Sequence, residues 1–266
     1  MIVTLLTDYG LRDEFVGVCH AVIRGACPDA VIVDLTHGVP RHSTRSGAVT
    51  LLHALPYLPV GVHMAVVDPE VGTERRAVAL RCADGRLLVG PDTGLLSLAW
   101  EAAGGVEEAV DVSRSHHRLE PVSATFHGRD VFAPVTGSLA AGEPLAEAGE
   151  PLDPEELTHL DLPRARREGD ALVAHVLRVD AYGNVALNAD HGELAGTELT
   201  LGSEVAVEAA GERSVARFVG TFADVATGEL LVYEDAHRLL ALALNRGSAA
   251  AALGVDLDDE VRLSPR

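Results

Sequence analysis

The sequence predicts an α/β chain in two parts: an N-terminal α/β sheet domain, followed by a smaller C-terminal antiparallel domain of β-barrel or sandwich type. Three observations carry this. Up to about residue 140, short apolar runs alternate with amphipathic stretches, as when strands feed helices. Over residues 140–167 the composition turns to Pro, Glu and Gly and ends in the charged run 164–170. Beyond that point, short β-type runs are separated by turn residues. The expected boundary makes 1–165 the first domain and 166–266 the second.

The first strand is expected over 2–6. A helix over 14–26 follows, with Phe15, Val16, Cys19, Val22 and Ile23 on one face and Pro28 as its stop. Residues 30–35 read as a second strand, and Ser43 or Thr44 can cap a helix that ends near Pro56. The third strand is 62–67. Residues 77–82 and 86–89 make a hairpin through Asp84-Gly85, with a helix over 95–103 after it. In the second domain strands are expected over 172–179, 185–187, 198–201, 204–207, 216–219 and 230–233.

Composition removes several classes of function. Cys19, Cys27 and Cys82 are odd in number and lack CxxC spacing, so they read as small core residues and not as a disulfide framework or zinc site. With 21 basic against 40 acidic side chains the formal charge is −19, which disfavours nucleic acid as a partner. The sequence has no apolar run of membrane-spanning length and no basic leader, so a soluble, cytoplasmic protein without a membrane partner is expected. Every basic residue is Arg. Without Lys there is no Schiff-base or pyridoxal chemistry and no P-loop lysine.

Chemistry is expected at strand ends. Asp8, Asp68 and Asp92 each follow a predicted strand and Asp34 falls at the end of one, and open parallel sheets bind ligands beyond the carboxyl ends of their strands. Asp34 and Asp92 read as caps or turn formers, Asp8 and Asp68 as functional. Asp68 opens a Pro- and Gly-punctuated stretch that ends in Arg75-Arg76, and a guanidinium can stabilise a nucleophilic oxygen without losing its proton. His127 lies in a polar cluster with Gly128, Arg129 and Asp130, where glycine permits close backbone approach. His116 and His117 read as solvated, and His20, His53 and His63 as structural. Asp8, Asp34, His37, Asp68 and His127 could together suggest a metal hydrolase. No HExxH or comparable spacing supports this, and no metal is expected. Downstream, Asp180, Tyr182, Gly183 and Asn184 form an Asx-rich turn, which also offers a purine an aromatic face beside amides.

These segments together resemble the S-adenosylmethionine (SAM) hydroxide adenosyltransferase family, the adenosine-forming SAM hydrolases, which are relatives of the SAM-dependent chlorinases and fluorinases. The markers span nearly the whole chain. They are Thr7-Asp8-Tyr9-Gly10 with Asp13, Phe15-Val16-Gly17, Asp34-Leu35-Thr36-His37, the stretch 66–76, Pro91-Asp92-Thr93-Gly94-Leu95-Leu96, the stretch 126–130 with Phe132-Ala133-Pro134, Gly183-Asn184 and the stretch 245–249. The resemblance implies hydrolysis of SAM to adenosine and methionine without cofactor or metal, by in-line attack of water at ribose C5′. It implies a homotrimer with SAM bound between the N-terminal domain of one subunit and the C-terminal domain of the next. The family's catalytic set falls on Asp68, Arg75 and His127, and Arg75 is distinguished from Arg76 by alignment alone. The ribose carboxylate falls on Asp8, the methionine-amino contact on Asp180, the adenine contacts on Tyr182 and Asn184, and a backbone adenine clamp on the region 243–245, including Asn245. Gly128 stands where the fluorinase carries Ser. The chain departs from the family at Glu70 (usually Gly), Thr93 (usually Asn) and Ala236-His237, where the halogenases place Ser-Arg beside the methionine carboxylate; His42 aligns with an aromatic pocket residue. Halogenation of SAM and non-catalytic binding of SAM or adenosine are the alternative functions.

Overall fold

The computed structural model describes residues 1–266 as two compact units, Met1–Leu160 and Asp161–Arg266. In the first unit the chain runs β1 (Ile2–Thr7), α1 (Phe15–Ala26), β2 (Val31–Thr36), α2 (Thr44–Ala54), β3 (Val62–Val66), β4 (Ala77–Cys82), β5 (Leu87–Pro91), α3 (Ser97–Ala102), β6 (Val106–Asp111), α4 (Ala133–Ala141) and β7 (Glu150–Leu152). One seven-stranded sheet results, in the order β2-β1-β3-β5-β4-β6-β7. Its first four strands are parallel and the rest antiparallel. Strand alternation divides the core. Val62, Met64 and Val66 of β3 pack with α1 and α4 through Cys19, Ile23 and Leu139, whereas Ala65 and Val67 pack with α2 and α3 through Leu51 and Ala99.

Helix ends follow local chemistry. Ser43 caps α2 through its hydroxyl and Ser46 N–H. The expected helix over 95–103 shortens to α3 because Gly94 sits at φ +85° and Ser97 Oγ bonds its carbonyl, so Leu95 and Leu96 are spent in the turn. Helix α4 was not foreseen: Ala133 to Ala140 are all buried and present no polar face, so no 3.6-residue period exists to read.

The second unit contains β8 (Arg166–Glu168), β9 (Ala171–Val179), β10 (Val185–Asp190), β11 (Glu204–Ala209), β12 (Glu212–Phe218), β13 (Leu230–Glu234), β14 (Leu239–Leu244), α5 (Ala249–Leu253) and β15 (Glu260–Pro265). The order β9-β10-β14-β13-β12-β11-β15 closes back on β9, making a seven-stranded barrel with β8 added outside it. Two expectations are corrected. The barrel is not wholly antiparallel, because β12 and β13 pair in parallel. Residues 198–201 are turn, not strand, with Gly202 at φ +94° reversing the chain into β11. Strand β14, Leu-Leu-Ala-Leu-Ala-Leu, has no polar alternation, and β8 lies inside the charged run read as the domain boundary. No helix is long and apolar enough to cross a membrane.

Candidate active site

Strands β1 and β3 are neighbours in parallel register, with Thr7 opposite Val66, so Asp8 and Asp68 leave the sheet at the same edge. Asp68 begins a loop that returns at Arg75. Arg75 Nε donates to both Asp68 oxygens, at 2.9 and 3.0 Å, and Nη2 adds a short bond to Oδ2. The same Nη2 donates to His127 Nδ1 at 2.8 Å. The pair is buried, with side chains 4% and 5% exposed, and the guanidinium lies 5.3 Å from the Phe132 ring centre.

A guanidinium can only donate, so His127 Nδ1 accepts and the neutral imidazole carries its proton on Nε2. Burial, and then the Arg75 cation, lower the His127 pKa, with Asp68 and Asp130 opposing. The ring is therefore held neutral around pH 7.

The neighbouring arginine is spent elsewhere. Arg76 binds Asp92 through Nε at 2.9 Å and Glu156 at 3.0 Å, while Asp92 Oδ1 accepts Thr158 N–H at 2.8 Å. Geometry thus separates Arg75 from Arg76 and gives Asp92 the structural part expected of it. Glu70 is exposed and outside the left-handed region; the loop's positive φ falls at Gly72, where a Cβ would stand 2.3 Å from Ala124 O. Glycine is accordingly not needed at position 70.

His127 precedes a π-helical turn over Gly128–Phe132, an irregularity that often marks functional sites. Buried Asp130 anchors it, accepting from Arg129 at 2.6 and 2.9 Å and from Ser123 N–H at 2.8 Å. A Cβ on Gly128 would meet Tyr9 Oη at 2.1 Å. Tyr9 packs edge-on against Phe126 and Phe15, and burial, joined by the charges of Cys19, Asp8 and Asp68, raises its pKa well above 10, so it stays a neutral hydroxyl. Asp8 accepts the backbone N–H of His42 at 3.0 Å, with His42 itself at φ 63°. Asp8, Asp68, Arg75 and Gly128 thus lie around Tyr9, with His127 joined to them through Arg75, and Tyr9 is a residue to which the sequence alone assigned no role.

Among the remaining histidines, His117 corrects the expectation of a solvated residue: its Nε2 lies 2.7 Å from Glu143 Oε2 and it is partly buried. His63 is buried against Thr4 Oγ1 at 2.9 Å, and burial drives its pKa down to about 4.

In the second unit Asp180, Tyr182 and Asn184 line a cavity of about 740 Å³ with Phe222, Tyr233 and His237. Asp180 accepts the N–H groups of Tyr182 and Asn184 at 2.8 and 2.9 Å and the Asn184 amide at 2.8 Å, which is the expected Asx turn. Gly183 sits at φ +80° with Ser248, the cap of α5, where its Cβ would be. Tyr182 is 81% exposed. Asn245 does not line the cavity; its amide donates to the carbonyls of Phe222 and Val225, while Leu244 and Arg246 beside it do. Phe222 and Tyr233, whose rings stand 5.1 Å apart, were missed because nothing local in the sequence links them to the 180–184 turn.

Residues 3–149 match the family model described as the SAM hydroxide adenosyltransferase N-terminal domain, and residues 174–262 match that of the C-terminal domain. A protein of Salinispora tropica named (R)-S-adenosyl-L-methionine hydrolase is 48% identical over 262 residues, covering 98% of this chain and 97% of its own. One of the same name from Thermus thermophilus is 40% identical, with 98% of each chain covered. A Nocardia brasiliensis protein named fluorinase is more distant, 27% identical over 94% of this chain and 92% of its own. A crystal structure of a conserved Thermotoga maritima protein superposes with a TM-score of 0.90 at 34% identity, covering 99% of this chain and 100% of that one.

Proposed function

Because the chain belongs to the SAM hydroxide adenosyltransferase family, we infer that it hydrolyses S-adenosylmethionine to adenosine and methionine. The observation that carries the reading is the buried set in which one guanidinium holds both a carboxylate and a neutral imidazole. Water attacks C5′ in line, the C5′–S bond breaks with its electron pair going to sulfur, and methionine leaves as a neutral thioether. The sulfonium makes the leaving group good, so what the protein must supply is a placed and activated water.

In the proposed roles Asp68 takes the proton of the water through the Oδ1 lone pair that Arg75 leaves free. His127 Nε2–H orients the oxygen, and Arg75 stabilises the developing hydroxide charge. Asp8 holds the ribose diol. Asp180 holds the methionine amino group. Tyr182 stacks on adenine, Asn184 meets its edge, and the backbone of the region 243–245, through Leu244 beside Asn245, closes the adenine pocket. Two functional halves in two units, a charged set in one and an aromatic and amide cavity in the other, support the further proposal of a homotrimer whose sites are shared between subunits. Cytoplasmic location is part of the same reading.

Halogenation is the rival chemistry. Gly128 has no room for the Ser of the fluorinase pattern, since even a Cβ meets Tyr9 Oη. Incubation with SAM and chloride, read by mass spectrometry, should yield adenosine and methionine. Formation of 5′-chloro-5′-deoxyadenosine instead, or stoichiometric binding with no methionine released over hours, would sink the hydrolase reading.

A further inference from the structure

At the end of β2, Asp34 Oδ1 stands between two imidazoles, 2.8 Å from His20 Nε2 and 3.0 Å from His37 Nε2. The three side chains come from α1, β2 and the turn after β2, and their three ligand atoms lie within 4.8 Å of one another. His37 is the buried member, its side chain 2% exposed, whereas His20 and Asp34 are 29% and 39% exposed.

The His37 ring is held from behind. Its Nδ1 lies 2.8 Å from Thr7 Oγ1, and its Nε2 makes no aligned hydrogen bond. If the Thr7 hydroxyl donated to Nδ1, the proton would sit on Nε2 and the 3.0 Å approach to Asp34 would be an ordinary hydrogen bond, for which the alignment is wrong. With Nδ1–H given to Thr7 Oγ1, which also accepts the Tyr9 N–H at 3.2 Å, the buried Nε2 keeps an unpartnered lone pair beside the carboxylate. A buried ring nitrogen without a partner is costly, and a cation bound by it and the neighbouring carboxylate would satisfy it.

We propose that His20 Nε2, Asp34 Oδ1 and His37 Nε2 bind a divalent transition-metal ion of the zinc class. Imidazole and carboxylate ligands on a tetrahedral centre stand about 3.3 Å apart, so the two separations from Asp34 Oδ1 need to open by only a few tenths of an ångström. Two imidazoles with one carboxylate favour zinc, cobalt or nickel over magnesium or calcium, and the exposed side leaves a position for water. Thr7 behind His37 fixes the tautomer, as outer-shell oxygens do for metal-bound histidines. None of the three ligands is bonded to Asp68, Arg75 or His127. The site is separate from the hydrolytic set but braces its margin, because Gly10 N–H donates to His37 O at 2.7 Å, two residues past Asp8. Sequence spacing hid it, since the ligands are drawn from three elements.

The test uses the full chain, stripped with chelator and titrated with Zn²⁺ by calorimetry and with Co²⁺ by visible absorption. One equivalent should bind. His20→Ala and Asp34→Asn, both at partly exposed positions, should each abolish that equivalent while the metal-free thermal midpoint stays near that of the wild type. His117→Ala, in the other His and Glu cluster of the first unit, should leave it intact. No uptake by the wild type, uptake undiminished in the His20 and Asp34 variants, or loss in the His117 variant instead would each overturn the proposal.

Discussion

Arg75 alone touches both Asp68 and His127, so its planar fork does what a point charge cannot. Arg75→Lys keeps the charge and loses the paired bonds; adenosine release should fall about 10²–10³-fold, the usual loss when one preorganised donor is removed. Retention of near wild-type kcat would remove Arg75 from the mechanism. The imidazole gives a second expectation. Protonating His127 at Nδ1 would set it against the guanidinium, and because its pKa is lowered from 6.5, the neutral form persists at pH 7 and is lost only on acidification below that value. The acid limb of kcat/KM should therefore fall below pH 6.5, and a limb at or above 6.5 would contradict the assignment. His63 bears on stability by the same logic. Its folded pKa of about 4 lies below the unfolded value of 6.5, so the unfolded chain binds the extra proton between those limits, and stability is kept above 6.5 and lost as pH falls toward 4. About 3 kcal/mol is at stake. The drop in unfolding free energy from pH 7 to 4.5 should be smaller in His63→Gln than in the wild type.

The π turn at 128–132 and the β1 end meet through Tyr9 and Gly128, and this contact between elements is sharply constrained. Gly128→Ala should destabilise by about 1–3 kcal/mol through overpacking. Tyr9→Phe removes the hydroxyl it would strike and should recover most of that loss in the double variant, as followed by denaturant unfolding. Equal and additive losses in the two single variants would show that the contact is not the cause. The same turn marks the limit of legibility from sequence. Asp68 could be read from strand-end position, because period-2 burial and parallel order place it at the sheet edge. His127 had no such support. It depends on a π-helical irregularity that no local pattern announces, and on Asp130, whose buried carboxylate looks in the sequence like any surface aspartate. Arg75 and Arg76 are chemically identical as letters; only the fold sends one to Asp68 and the other to Asp92. Elements with a polar and an apolar side, such as α1, were visible. Helix α4, buried all round, was not, because uniform burial erases its 3.6-residue period, whereas all-buried strands such as β3 still stand out as short apolar runs.

Across the whole molecule, the two compact units divide the chemistry: the first carries the charged set, the second an aromatic and amide cavity opening on an exposed tyrosine. The Tyr182 ring, 81% exposed at the rim of that cavity, is open to a ligand or to a partner. The proposed sharing of sites between subunits makes a quantitative prediction. Asp68→Ala disables the first unit's contribution and Tyr182→Ala is expected to impair the second's. If each site draws one unit from each of two neighbours in a ring, then unfolding and reassembling an equal mixture of these variants pairs an intact first unit with an intact second unit in about one quarter of sites. Adenosine release should recover toward that fraction of the wild-type rate, although each variant reassembled alone stays inactive or weak. If each chain used its own two units, every site in the mixture would carry one lesion or the other, and activity would remain at the average of the two parents. Sedimentation of the mixed species checks that three chains are present, so that a failure to reassemble is not mistaken for sites formed within a single chain.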